Sequence, residues 1–214
     1  MGIHKYKYNW NFFNTDSEEL YYFLGFVAAD GYVSDGEIEI GLNKKDLPII
    51  KKFRDLIVPE KPIYEKQDTN SFLLKISGKK QMGKFKNFFN MLSNKKHQEI
   101  EFPSDIPSNH LKDFIRGVID GDGCIDTTKG YKKDKIYIGP RLRILGNQKF
   151  LIGLNEATKK YYNHKTNAIL KKGKENVFYV TYNFKTAKVL LKWIYEDATI
   201  FLERKREKAL SLLK

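Results

Sequence analysis

The apolar residues of this chain change period several times. From Leu20 through Phe23, Leu24, Val27 and Ala28 they recur every three or four positions, which predicts a helix, and Thr15-Asp16-Ser17-Glu18 offers side chains able to cap its start. Asp30-Gly31 ends it. Over 37–42 polar and apolar residues alternate, so a strand sets Ile38, Ile40 and Leu42 on one face and Glu37, Glu39 and Gly41 on the other. Helical spacing returns over 46–57 and stops at Pro59. Strands follow at 63–67 and 71–77, joined by the turn-forming Asp68-Thr69-Asn70, and then a helix over 80–92 with Met82, Phe85, Phe88, Phe89 and Leu92 on its apolar side. This block reads α, β, a weakly defined partner strand, α, β, β, α.

A stretch holding Pro103 and Pro107 cannot continue a helix, and beyond it the order repeats. Helix 108–121 leads into Asp122-Gly123-Cys124-Ile125. A Lys- and Gly-rich loop (127–135) precedes strands near 136–138 and 140–145, then helix 148–161, strands 165–170 and 176–183, helix 184–195, and a last amphipathic helix, 198–213, with Arg204-Lys205-Arg206 in its middle. The expectation is an α+β chain built as an arm (1–17), a first half (18–95), a linker (96–107) and a second half (108–214), each half ordered αββαββα and the two related by a pseudo-twofold.

The duplication is sharpest in Phe23-Leu24-Gly25-Phe26-Val27-Ala28-Ala29-Asp30-Gly31 and Ile115-Arg116-Gly117-Val118-Ile119-Asp120-Gly121-Asp122-Gly123. Gly25 and Ala29, like Gly117 and Gly121, lie four apart, so each helix carries a face almost free of side chain. Two such faces can meet more closely than the usual ~8–10 Å between helix axes. Ordinary packing explains the small residues but not the acids. A helix C-terminus is the negative end of the peptide dipole, and two aspartates brought together there repel each other. Placed so twice, Asp30 and Asp122 point to a bound cation. Oxygen ligands without histidine or cysteine companions indicate Mg²⁺, which keeps waters and takes phosphate oxygens as further ligands.

Charge points the same way. The 214 residues include 39 Lys and Arg against 26 Asp and Glu, a net charge of +13 that implies a polyanionic partner, nucleic acid first. No apolar run approaches the ~20 residues of a spanning helix, and the start of the chain lacks the apolar core of a signal peptide, so an intracellular protein without a membrane partner is expected. The single cysteine, Cys124, rules out an internal disulfide and a cysteine-based zinc site.

The two repeated stretches resemble the paired motifs of the LAGLIDADG homing endonucleases in their single-chain form, and the resemblance covers about 18–213. It implies that Asp30 and Asp122 bind metal together with the backbone carbonyls of Ala29 and Gly121. The ion would be Mg²⁺, with Mn²⁺ able to substitute and Ca²⁺ binding without supporting cleavage. Ala28 and Asp120 hold the same motif position, and Asp120 is assigned to the helix end or interface rather than to the metal. Lys96 and Lys205 match lysine positions near the attacking water. Asn43-Lys44 resembles a glutamine–lysine pair of relatives, although its counterpart, Gly146-Asn147, has no lysine.

The resemblance further implies a saddle of two antiparallel sheets seated in the DNA major groove. Alternation then turns Glu37, Glu39 and Lys75 outward in the first half, and Arg141, Arg143, Tyr179 and Thr181 in the second. Arginine can pair with guanine, and glutamate can accept from cytosine. Lys171, with the lysine-rich loops 129–135 and 171–174, suits phosphate contacts, which position without specifying sequence. The function implied is a monomeric endonuclease, with no small-molecule substrate, that hydrolyses both strands of a long asymmetric site to leave short 3′ overhangs. It would be intron-encoded or freestanding, in the cytoplasm or nucleoid of a bacterium or phage host, or in an organelle matrix. The alternative is a nuclease-inactive RNA maturase or DNA-binding regulator on the same fold. Such relatives often lose a motif acid, and both acids are present here.

Overall fold

The computed structural model describes residues 5–34, 36–78, 85–94, 100–132, 135–162, 167–173 and 177–214. Helix α1 (Glu18–Asp30) starts at Ser17, whose Oγ accepts from the Leu20 N–H at 3.2 Å, and Glu18 and Glu19 complement the positive end of its dipole. Strand β1 (Gly31–Val33) follows without a loop. A Cβ on Gly31 would lie 2.7 Å from the Val27 carbonyl oxygen, and one on Gly123 would lie 2.5 Å from that of Ile119. Only glycine lets the chain leave the helix so abruptly, and this accounts for the glycine after each motif aspartate.

The first half continues with β2 (Glu37–Asn43), α2 (Leu47–Ile57), β3 (Tyr64–Lys66), β4 (Ser71–Ser77) and α3 (Lys86–Asn94). The second holds α4 (Leu111–Asp122), β5 (Gly123–Lys132), β6 (Lys135–Gly146), α5 (Gln148–Tyr162), β7 (Ile169–Lys171), β8 (Phe178–Asn183), α6 (Phe184–Tyr195) and α7 (Glu203–Leu213). Each half builds one antiparallel four-stranded sheet, ordered β1-β2-β4-β3 and β5-β6-β8-β7. The matching orders are the expected pseudo-symmetry. Ile38, Ile40, Leu74 and Ile76 face the first core, and Leu142, Ile144, Val180 and Tyr182 the second.

Helices α1 and α4 join the halves. Every residue from Leu20 to Val27 is buried, as are nearly all from Leu111 to Asp120, as suits helices covered on all sides. A Cβ on Gly25 would fall 2.0 Å from the Phe114 carbonyl oxygen, and one on Gly117 would fall 2.1 Å from that of Tyr22. Phe114 and Tyr22 hold matching places in the repeat, so the contact is symmetric and backbone to backbone.

Four expectations change. The weak partner strand is β1, fused to the end of α1. The Lys- and Gly-rich stretch 127–135 is mostly strand, and 136–138 and 140–145 belong to the single strand β6. Pro140 pairs with Thr127 of β5, and β8 pairs with β6 only from Arg141 onward, so the proline sits where one side of β6 is still an open edge. The last helix begins at Glu203, not 198, and the arm is docked, with Phe12 and Phe13 buried in the core. Residues 80–84 of the third predicted helix lie outside the described residues.

The corners after β4 and β8, which hold matching places in the two sheets, each take a left-handed residue. After β4 it is Gly78 (φ +91°), whereas after β8 it is Phe184 (φ +47°). A phenylalanine in this region costs about 1–2 kcal/mol. Its ring occupies the space over Gly130 and Gly139, where added Cβ atoms would come within 2.7 and 2.5 Å of it. The glycines that suggested a loop are the bed of that ring.

Candidate functional site

Asp30 and Asp122 end the two paired helices side by side. A Cβ on Gly121 would stand 2.5 Å from that of Ala29 and 3.4 Å from that of Asp30, so the two C-termini converge. Both carboxylates touch solvent within a dense ring of protein atoms, and lost hydration is the first cause of their shifts. Burial pushes Asp122 up to about 6, the charge of Asp30 adding to the rise and that of Lys205 opposing it. Asp30 is raised as well; Lys205 and Arg204 oppose the shift and Asp46 adds to it.

Lys205 lies beneath this pair, only 7% exposed. Its ammonium donates to the carbonyl oxygens of Ile119 (2.8 Å), Asp120 (2.7 Å) and Gly121 (3.0 Å), the orphan acceptors at the end of α4. Burial lowers its pKa, and the negative charges of Asp120, Asp30 and Asp122 resist that. The structure therefore brings Lys205 to the aspartates but directs its protons to the helix end. Gly121 O, expected as a metal ligand, is one of the acceptors. Lys96 lies outside the described residues.

Asp120 is 1% exposed. It accepts from the hydroxyls of Tyr22 (2.8 Å) and Tyr195 (2.6 Å) and from the Leu202 N–H (2.7 Å), tying α1, α6 and the approach to α7 to one carboxylate. This matches its assignment to the interface. The segment before α7 crosses both halves. Glu18 accepts from the N–H and hydroxyl of Thr199 at 2.7 and 2.9 Å. Arg116, fully buried, donates to Glu18, Asp113 and the carbonyls of Ile194 and Ile200. Arg204 grips Asp46 of the first half with two bonds of 2.8 and 3.0 Å, while the cations of Lys52 (5.2 Å) and Arg206 (4.4 Å) lie over the ring of Phe201. The sequence marked none of these partners except Asp120 and Lys205.

Register aligns the outward rows of the sheets. In the first, Glu37 pairs with Ser77, Glu39 with Lys75 and Asn43 with Ser71. Lys75 bridges Glu39 at 2.5 Å and Glu37 at 3.6 Å. Asn43 Oδ1 accepts from the Lys45 N–H at 3.2 Å, and Lys44 is exposed in the turn leading to Asp46. In the second sheet Cys124, Arg143 and Thr181 form one row, and Asp126, Arg141 and Asn183 the next. Arg141 is already paired with Asp126 by bonds of 2.7 and 2.5 Å, a partner the sequence had not flagged. Arg143 lies over the Tyr179 ring at 5.4 Å, its Nε buried without a hydrogen-bond partner among the described residues. Lys171 departs from expectation: it pairs with Phe178 and shares the face of Ile169 and Val180, opposite to the arginines. Beyond β8 the β5–β6 hairpin continues as a two-stranded ribbon with exposed Lys129, Lys132, Lys135, Tyr131 and Tyr137.

Solved structures share this fold. The I-LtrWI LAGLIDADG homing endonuclease bound to target DNA superposes with a TM-score of 0.60 at 17% identity, over 95% of this chain and 90% of that one. The meganuclease I-SmaMI bound to uncleaveable DNA gives 0.61 at 12% identity, over 89% and 87% of the two chains. I-SmaMI on an uncleaved DNA target with calcium ions gives 0.59 at 12%, over 93% and 97%. The fold is that of the LAGLIDADG homing endonucleases. No protein-family model and no curated protein matches the sequence.

In that fold α1 and α4 are the LAGLIDADG helices, and Asp30 and Asp122 their terminal acids. Among the described residues no group of three or more His, Cys, Asp and Glu side chains could hold an ion. The acidic donors at the LAGLIDADG helix ends are thus two carboxylates with nearby carbonyls. Among these residues, too, no helix is long and apolar enough to cross a membrane.

Proposed function

We propose that this chain is a divalent-metal-dependent, site-specific endonuclease that cuts both strands of a long asymmetric DNA duplex. The observation that carries the reading is the meeting of Asp30 and Asp122 at paired helix ends, between two sheets whose outward rows carry polar and aromatic side chains. Helix dipole, burial and mutual repulsion all disfavour two anions there, and a divalent cation relieves all three. Hard oxygen donors with no soft ligand beside them fit Mg²⁺ or Mn²⁺, with Ca²⁺ as a binding but non-catalytic substitute. Asp30 and Asp122 would hold the ion, with the carbonyls of Ala29 and Gly121 near it. When bound, it supplies a nucleophilic water and neutralises charge on the scissile phosphate.

The chain's own residues do the rest. Lys205 stabilises the carbonyl end of α4 and sets positive charge behind the two carboxylates, so both stay available to metal near neutral pH. Arg143 over Tyr179 suits guanine, and the Glu37–Lys75–Glu39 row suits cytosine and its neighbours. The ribbon lysines suit phosphates. The halves differ in nearly every outward residue, so a single chain reads an asymmetric site as a monomer and leaves short 3′ overhangs.

Selection of cleaved sequences from a random duplex library with Mg²⁺ tests this. The unaltered protein should yield one asymmetric site, and Asp30→Asn and Asp122→Asn should each reduce cleavage to background while still binding that site. A protein that bound one duplex tightly but never cut it with Mg²⁺ or Mn²⁺ would be a DNA-binding regulator instead.

A further inference from the structure

The N-terminal arm reaches the outward row of the first sheet through one hydroxyl. Asn9 anchors the arm by donating its N–H to the Ile57 carbonyl at 2.8 Å and its side-chain amide to that of Leu56 at 3.1 Å, and Phe12 and Phe13 are buried behind it. The ring of Tyr8 stacks on that of Trp10 with centroids 4.7 Å apart and planes 8° from parallel. A tyrosine held this way delivers its oxygen with little freedom.

That oxygen heads a continuous polar chain. It accepts from the Ser77 N–H at 3.2 Å and from the Lys61 ammonium at 3.2 Å. Lys61 is only 8% exposed and also donates to Ser77 Oγ at 3.3 Å. Ser77 Oγ donates to Glu37 Oε1 at 3.0 Å, and Lys75 joins the carboxylates of Glu37 and Glu39. Glu37 lies at the end of β2 remote from Asp30: Gly31 pairs with Ile40, three residues or about 10 Å along the strand.

We propose that Tyr8 is a positioning residue for base reading by the first half, acting through Lys61 and Ser77 to set the Glu37–Lys75 pair before DNA arrives. The inference rests on the DNA-reading function above. An unrestrained glutamate facing phosphates swings away from them, whereas one held on a serine hydroxyl and a lysine keeps an oxygen where a cytosine amino group can reach it. The buried ammonium needs acceptors, and the Tyr8 oxygen is one of them, so removing it loosens Lys61, Ser77 and Glu37 in turn.

The test is selection of bound sequences from a random duplex library, with Ca²⁺ replacing Mg²⁺, for the unaltered protein, Tyr8→Phe, Lys61→Met and Glu37→Gln. Glu37→Gln marks the base pairs that Glu37 reads. Tyr8→Phe keeps the stacked ring, and Lys61→Met is a second route to the same loosening. Each should weaken preference about tenfold at those same base pairs, leaving positions read by the second half unchanged. The double variant Tyr8→Phe/Glu37→Gln should be no less selective than Glu37→Gln alone. If Tyr8→Phe and Lys61→Met return the unaltered consensus, the inference fails while DNA reading stands. If the unaltered protein itself enriches no sequence, the DNA-reading function fails.

Discussion

The paired aspartates set a pH dependence opposite to that of most folded carboxylates. Folding keeps a proton on Asp122 up to about pH 6, while the unfolded chain releases it near 3.8, so the folded state binds more protons in between. Stability therefore falls as pH rises through that window and stays lower above it. Asp122→Asn removes the penalty. Without metal its melting temperature at pH 7 should exceed that of the unaltered protein by a few degrees, about 1 kcal/mol after allowing for solvent screening of an exposed carboxylate, and the gap should close below pH 4. Thermal scans at both pH values check this, and added Mg²⁺ should stabilise only the unaltered protein. Asp120 behaves differently. Asp120→Ala leaves the Tyr22 and Tyr195 hydroxyls and the Leu202 N–H without that acceptor inside the protein. The expected loss is about 3–5 kcal/mol by urea unfolding, with Asp120→Asn costing less because it keeps one acceptor. The acids themselves were legible, since a repeat marks them. Lys205 apart, their partners were not, because Tyr22, Tyr195 and Leu202 come together only through tertiary packing.

Among elements, the LAGLIDADG pair was the most legible part of the fold, because a spacing of four small residues has a direct geometric meaning. The structure adds what each glycine faces. Gly117→Ala would set a Cβ 2.1 Å from the backbone oxygen of Tyr22, which no side-chain rotation relieves, so α1 and α4 must separate and drag the aspartates with them. We expect a loss of about 3 kcal/mol or more in thermal unfolding, against about 1 kcal/mol for Ala29→Gly, which only loosens one helix turn. The β5–β6 ribbon was the least legible element. Gly130, Gly139 and Pro140 are ordinary loop signals, and only the Phe184 ring and the late start of β8 make them strand residues. Likewise β1 is three residues long, too short for alternation to register. The placement of Lys171 was hidden for a related reason: composition suggested a loop, whereas cross-strand register puts it on β7 and sets its face.

At the scale of the whole molecule, the halves are related by sequence but joined too tightly to act as separate domains. Helices α1 and α4 are buried on nearly every side, and each takes its missing cover from the other half. The chain then crosses the boundary again at its end. Arg204 holds Asp46 of the first half, Thr199 holds Glu18, and Asp120 receives Tyr22 from one half and Leu202 from the other. A half that opened alone would expose the apolar flank of its partner helix and leave Arg116 and Asp120, both buried, without cross-half partners. Partial opening is thus close in cost to complete unfolding. The expected outcome is a single transition, with far-ultraviolet circular dichroism and the fluorescence of Trp10, in the arm docked on the first half, and of Trp193 in the second half giving coincident midpoints. Arg204→Ala cuts one tie on the surface side and should lower that common midpoint without splitting it. Two resolved transitions in the unaltered protein, one followed by each tryptophan in single-tryptophan variants, would show instead that the helix pair is a docking contact between independent units.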